Sequence, residues 1–189
     1  MFSGPPRIVL ETAPVSTRDG AVYHHHRLSA GSGGVVVIAR SSGRILFLRI
    51  SRPAAEDATF VELPRGWMDG ADEQDGVVAA LRELREETGF AGRNARVVGQ
   101  YILDTGIYPQ PVTVVACDID EAVPGGVPDG EADGGWSWLP ETDLDRLTVT
   151  GVLRDAHTLA SLSIWRADRR ESRAGRGRGP SVDSVDRSS

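Results

Sequence analysis

Residues 75–90 constrain this chain more than any other stretch. Val77, Val78, Ala80, Leu81 and Leu84 recur at the spacing of a helix that lays one face on a core. Asp75 stands where an N-cap accepts the first free amides, and Gly89 where a left-handed C-cap belongs, with Phe90 placed to fold back onto the last turn. Glu83, Glu86 and Glu87 fall at i, i+3 and i+4, so their carboxylates leave one side of that helix. Three like charges this close raise one another's pKa unless a cation sits among them. Oxygen donors of this kind suit Mg²⁺ or Mn²⁺, which keep several waters and accept phosphate oxygens. The plain alternative is a solvated acidic face paired with Arg82 and Arg85.

Around this helix the chain reads as one domain of alternating strands with a tail. At 189 residues it is long enough for a sizeable core, over residues 1–165. The net charge of −6 argues against a general nucleic-acid binder. Cys117 is the only cysteine, so no intramolecular disulfide can form; it reads as a small core side chain. With no leader-like segment and no long apolar run, the expectation is a cytoplasmic protein without a membrane partner.

Short strands are expected at 7–12 and 21–28 around Arg18-Asp19-Gly20, an N-terminal pair over 7–28. His24, His25 and His26 fall in the second, where alternation keeps three consecutive side chains from converging on one metal. Val35–Ala39 and Arg44–Ile50 read as a hairpin, and Val97–Leu103 and Pro111–Asp118 as two further strands flanking a polar loop, Asp104–Pro109. Residues 121–135, rich in glycine and acids, read as a mobile lid. Trp136–Pro140 alternates as a strand, and 151–167 carries the apolar stripe of a last helix. From Arg166 to Ser189 the composition turns to Arg, Gly, Ser and Asp, which predicts a disordered tail.

Arg82 to Phe90 reads R-E-U-x-E-E-x-G-U, with U a bulky apolar residue, and so resembles the second half of the Nudix box at every specified position. Leu63-Pro64-Arg65-Gly66 resembles the Leu-Pro-x-Gly that leads into it. Strict register places Gln74 at the family's first glutamate and Met68 at its first glycine. Two extra residues in the loop 67–74 restore Gly66 and leave Asp72 or Glu73 for the glutamate. The resemblance implies an α/β fold, the Nudix α/β/α sandwich with a mixed β-sheet. It also implies that Glu83, Glu86 and Glu87, with the Gly66 carbonyl, hold one to three Mg²⁺ (or Mn²⁺), and that Arg82 supports them by ion pairing. One helix glutamate or Glu131, with Asp133 second, would take a proton from the attacking water.

Arg49-Ile50-Ser51-Arg52 resembles the Arg-x-x-Arg of ADP-ribose pyrophosphatase-like members. Arg49 and Arg52, with Arg65 of the lead-in and Tyr108 of the loop beyond the box, are thereby candidate contacts to a nucleoside diphosphate derivative. Arginine suits this because its planar donor fork pairs with phosphate oxygens. The reaction implied is hydrolysis of ADP-ribose or an ADP-sugar to AMP and a sugar phosphate, by a homodimer whose N-terminal strands cross to the partner. The competing readings are a (d)NTP pyrophosphohydrolase and a catalytically silent nucleotide sensor. The intact helix glutamates weigh against the sensor.

Overall fold

A computed structural model describes residues 8–30, 33–68, 75–120 and 135–177. The centre is β3 (Gly34–Ser41), in which Val35 to Ala39 are all at most 1% exposed. A continuous apolar run of this kind belongs to a strand covered on both faces. It pairs in parallel with β8 (Tyr108–Ile119), from Gly34 opposite Val112 to Arg40 opposite Asp118. Antiparallel to it runs β4 (Arg44–Arg52), after a two-residue turn in which Ser42 and Gly43 take φ of 48° and 74°. That left-handed pair is the turn geometry that matches strand twist, and glycine adopts it without penalty. The strand order β5-β4-β3-β8-β7 is completed by β5 (Ala58–Glu62) and β7 (Gly92–Asp104). Because β3–β8 is parallel and its neighbours antiparallel, the sheet is mixed, as expected.

Side-chain alternation divides the core. Val36, Ile38, Ile45, Phe47 and Val114 pack with Leu153, Leu162 and Trp165 on one face. Val35, Val37, Ala39, Leu46 and Val115 pack with Ala79, Ala80, Leu84 and Phe90 on the other. The first face is covered by α2 (Leu144–Val149) and α3 (Ala156–Gly177), the second by α1 (Gly76–Thr88). The sandwich is therefore α/β/α. Cys117 lies in the second face, and burial pushes its thiol pKa up to about 12.

The hairpin β3–β4 splays open inside the sheet. The two strands pair only beside their turn, at Arg40–Ile45 and Ser41–Arg44. Beyond it β3 takes β6 (Arg65–Trp67) as partner, setting Gly66 opposite Val35, while β4 takes β9 (Trp136–Pro140) and β5. The cleft described below lies where these strands part.

β1 (Ile8–Ser16) and β2 (Val22–Ala30) form a separate two-stranded sheet. It leaves Ile8, Leu10, Val22 and Tyr23 more than half exposed and is tied to the body by the Leu28 amide donating to the Ile107 carbonyl at 2.7 Å. Among the described residues no helix is long and apolar enough to cross a membrane.

Several boundaries move. The last helix starts at Ala156, not Gly151, because Gly151 sits at φ 74° and the Asp155 carboxylate accepts the Thr158 amide at 2.8 Å as a cap. It runs on to Gly177, so the tail does not begin at Arg166. Asp168 is held by Arg96 at 2.5 Å, Arg166 by Asp145 at 2.5 Å, and Arg169 by Glu141, with the Arg169 guanidinium 4.8 Å from the Trp165 ring. Residues 178–189 lie outside the described residues. β7 begins at Gly92, five residues early, through an irregular stretch that includes Asn94 at φ 53°. The polar loop shrinks because β8 starts at Tyr108, and Asp104 Oδ1 accepts the Gly106 and Ile107 amides in a tight turn. Val78 of the helix stripe is 49% exposed, with Ala79 taking the buried position.

Candidate active site

Both ends of α1 are fixed by the residues expected to fix them. Asp75 Oδ1 accepts the Val77 and Val78 amides at 2.9 and 3.3 Å. Gly89 at φ 72° donates its amide to the Arg85 carbonyl at 2.8 Å. Phe90 folds back into the core, its ring centroid 5.0 Å from Trp136 and 5.9 Å from Trp138. With Ala79, Ala80, Leu84 and Thr88 buried, the helix turns Glu83, Glu86 and Glu87 together toward a cleft of about 480 Å³.

Arg82 ties these acids to the sheet. One guanidinium nitrogen lies 2.9 Å from both Glu83 Oε1 and Glu86 Oε2, and the other donates to the Trp67 carbonyl at 2.9 Å. Glu87 Oε2 accepts the Arg65 amide at 3.1 Å. A Cβ at Gly66 would lie 1.9 Å from the Glu83 carboxyl carbon, so a larger residue there would push that carboxylate aside. The acid is thus seated directly over backbone.

A divalent cation fits this donor set. Among the described residues no three acidic, histidine or cysteine side chains are brought together closely enough to hold a metal ion by themselves. Hard cations that keep waters and share phosphate oxygens do not need a cage made of protein alone. Three carboxylates on one wall, one of them packed on a glycine that leaves it room, supply such a partial shell.

Other walls of the cleft carry Arg52, Arg65, Trp67, Tyr108, Gln110 and His157. Arg52 and Arg65 share one anchor, Glu62, which is 1% exposed. Arg52 grips it with a fork of 3.1 and 2.5 Å, and Arg65 Nε reaches it at 3.0 Å. Burial raises the Tyr108 pKa. Arg49 is exposed and, unlike Arg52, is not among the residues that line the cleft. Residues three apart on a strand face opposite sides. Glu131 and Asp133 lie outside the described residues, as do Asp72, Glu73 and Gln74. His24, His25 and His26 are exposed on β2 opposite Pro14, Ala13 and Thr12.

Sequence reading missed Glu62, Gln110 and His157. Glu62 did leave a signal: a single acid inside Phe60-Val61-Glu62-Leu63 must be paired if the strand is buried. His157 and Gln110 left none, since neither belongs to a local pattern.

A carboxylate helix facing anchored arginines across a cleft, on an α/β/α sandwich, defines a hydrolase of phosphate anhydrides. The chain belongs to the NUDIX domain family, whose profile matches residues 31–162, and it is a Nudix pyrophosphohydrolase. It is 29% identical over 144 residues to the CMP-5'-(N-acetyl-N-hydroxy-3-aminopropyl)phosphonate hydrolase of Streptomyces rubellomurinus, covering 76% of this chain and 68% of that one. It is 30% identical over 107 residues to the ADP-ribose pyrophosphatase of Saccharomyces cerevisiae, covering 52% of this chain and 45% of the yeast protein. The crystal structure of an ADP compounds hydrolase superposes with a TM-score of 0.72 at 15% identity, over 94% of this chain and 92% of that one, which is a likeness of fold.

Proposed function

We propose that the protein cleaves the diphosphate of ADP-ribose or an ADP-sugar with Mg²⁺, releasing AMP and a sugar phosphate. The observation that carries this reading is the single cleft in which Glu83, Glu86 and Glu87 face Arg52 and Arg65. The names of the yeast and Streptomyces relatives, both hydrolases of a nucleotide linked to another group, support it. Arg52 and Arg65 draw the diphosphate in and orient it, with Glu62 restricting their rotamers so that little ordering remains on binding. Glu83, Glu86 and Glu87, joined by the Gly66 carbonyl, are the ligands that would hold Mg²⁺. When bound, the metal neutralises the phosphate oxygens and acidifies the attacking water. Arg82 keeps Glu83 and Glu86 aligned from behind. One helix glutamate or Glu131 takes the proton of that water as it attacks phosphorus.

Turnover of a substrate panel with Mg²⁺ tests the substrate. ADP-ribose, other nucleoside-diphosphate sugars, CMP-linked phosphonates and (d)NTPs would be compared by product release. AMP from ADP-ribose at the highest kcat/KM is the expected result, and preference for a (d)NTP would sink it.

The protein acts, in this reading, as a cytoplasmic homodimer joined through β1 and β2. The apolar side chains of Ile8, Leu10, Val22 and Tyr23, exposed on a strand pair with little core of its own, favour such a partner. Light scattering should give about twice the 20.3 kDa chain mass. A deletion of residues 1–28 should give a monomer, and a monomeric full chain would refute the assignment.

A further inference from the structure

His157 stands in the first turn of α3, and its ring lines the cleft beside Arg52 and Arg65. Its backbone is held on the C-terminal side, where fully buried Thr158 donates its amide to Asp155 and accepts the Leu63 amide at 3.1 Å. Its ring is held by Tyr101 of β7, whose hydroxyl lies 2.6 Å from His157 Nδ1. The same hydroxyl is 3.5 Å from the His157 carbonyl, too far to compete.

The direction of that hydrogen bond follows from the surroundings. Burial raises the Tyr101 pKa, so the phenol keeps its proton. Ser161, one turn along α3, has a fully buried hydroxyl with no partner of good geometry, yet it lies near enough to the phenol to oppose that rise. Of the two acceptors within the phenol's reach Nδ1 is much the nearer, so the phenol's proton goes to His157 Nδ1. Burial first, and then the Arg65 guanidinium, lower the His157 pKa; Arg52 acts the same way, while Asp155 and Glu62 oppose them. A neutral ring accepting at Nδ1 carries its proton on Nε2. Nε2 has no hydrogen-bond partner among the described residues, on a residue that lines the cleft.

We infer that His157, through its Nε2–H, is a specificity-determining contact to an uncharged sugar hydroxyl of the substrate. Charged phosphate oxygens are served by Arg52 and Arg65, next to which a neutral donor adds little for an anion. It discriminates instead between a substrate with the hydroxyl and one without, because only the former gives that donor a partner once the substrate fills the cleft. Tyr101 is the positioning residue that fixes the tautomer. This rests on the diphosphate reading above.

The test is kcat/KM on three substrates: ADP-ribose, its 2′,3′-dideoxyadenosine counterpart, and β-methyl-ADP, which keeps a diphosphate diester but lacks the distal sugar. His157→Ala should lower kcat/KM about tenfold on ADP-ribose and leave it unchanged on whichever analogue lacks the hydroxyl being read. That analogue identifies the distal or the adenosine sugar. His157→Gln, which keeps a side-chain N–H, should recover part of the loss, and Tyr101→Phe should give a smaller loss with the same selectivity. Equal losses on all three substrates, or none on any, overturn the inference while the wild-type activity stands. A wild type inert toward all three overturns the diphosphate reading, and this inference falls with it. Melting curves separate loss of folding from loss of contact.

Discussion

Glu86→Gln and Glu87→Gln should each lower kcat on the preferred nucleotide by at least about a hundredfold, with KM changed far less. Each substitution keeps the side-chain volume and removes one negative charge from the wall that would carry the cation. Glu86 is half exposed on α1, so its replacement should leave the melting temperature nearly unchanged. Glu87 also accepts the Arg65 amide, so its loss should cost some stability as well as activity. Raising Mg²⁺ concentration should restore part of the rate if weakened ion binding is the cause. Full activity in both variants would remove the helix carboxylates from the mechanism.

Glu62→Gln should raise KM about tenfold and destabilise the fold by about 2 kcal/mol. The carboxylate is buried, and both arginines that hold it line the cleft. An amide in its place turns one NH₂ toward a guanidinium and loses the fork to Arg52. The arginines are each a little over a quarter exposed, so water takes up part of their charge and the loss stays below that of a fully buried pair. Their orientation suffers more, and orientation is what a phosphate-gripping pair supplies before chemistry. Steady-state kinetics and thermal melting read the two effects separately. Unchanged KM would show that Arg52 and Arg65 do not hold the substrate.

What sequence alone disclosed was local. The caps at Asp75 and Gly89, the helix between them and the common side of Glu83, Glu86 and Glu87 all follow from residues within a few positions of one another. Gly66 could be placed near Glu83 only through the resemblance; the structure shows the Glu83 carboxylate lying against it. Arg49 and Arg52 looked equivalent as text, but strand alternation sends one to solvent and one to the cleft. The segment after Arg166 looked unfoldable because it has few apolar residues. Its first part, to Gly177, is helical, and Asp168, Arg166 and Arg169 are held by Arg96, Asp145 and Glu141, partners that no window around it contains. His157 was illegible for the same reason, since its meaning depends on Tyr101 across the domain.

The parallel pairing of β3 with β8 also bears on how the protein is made. Residue 34 finds its neighbour at residue 112, with β4, β5, β6, α1 and β7 lying between them along the chain. Contacts so distant along the chain fold slowly, because loop closure precedes any gain from pairing. During synthesis the apolar run Val35–Ala39 emerges well before the strand that covers its edge, and the emerging chain carries an aggregation-prone segment for that interval. His157 emerges later still. On the ribosome, the carboxylate helix is therefore complete before the last wall of its cleft exists.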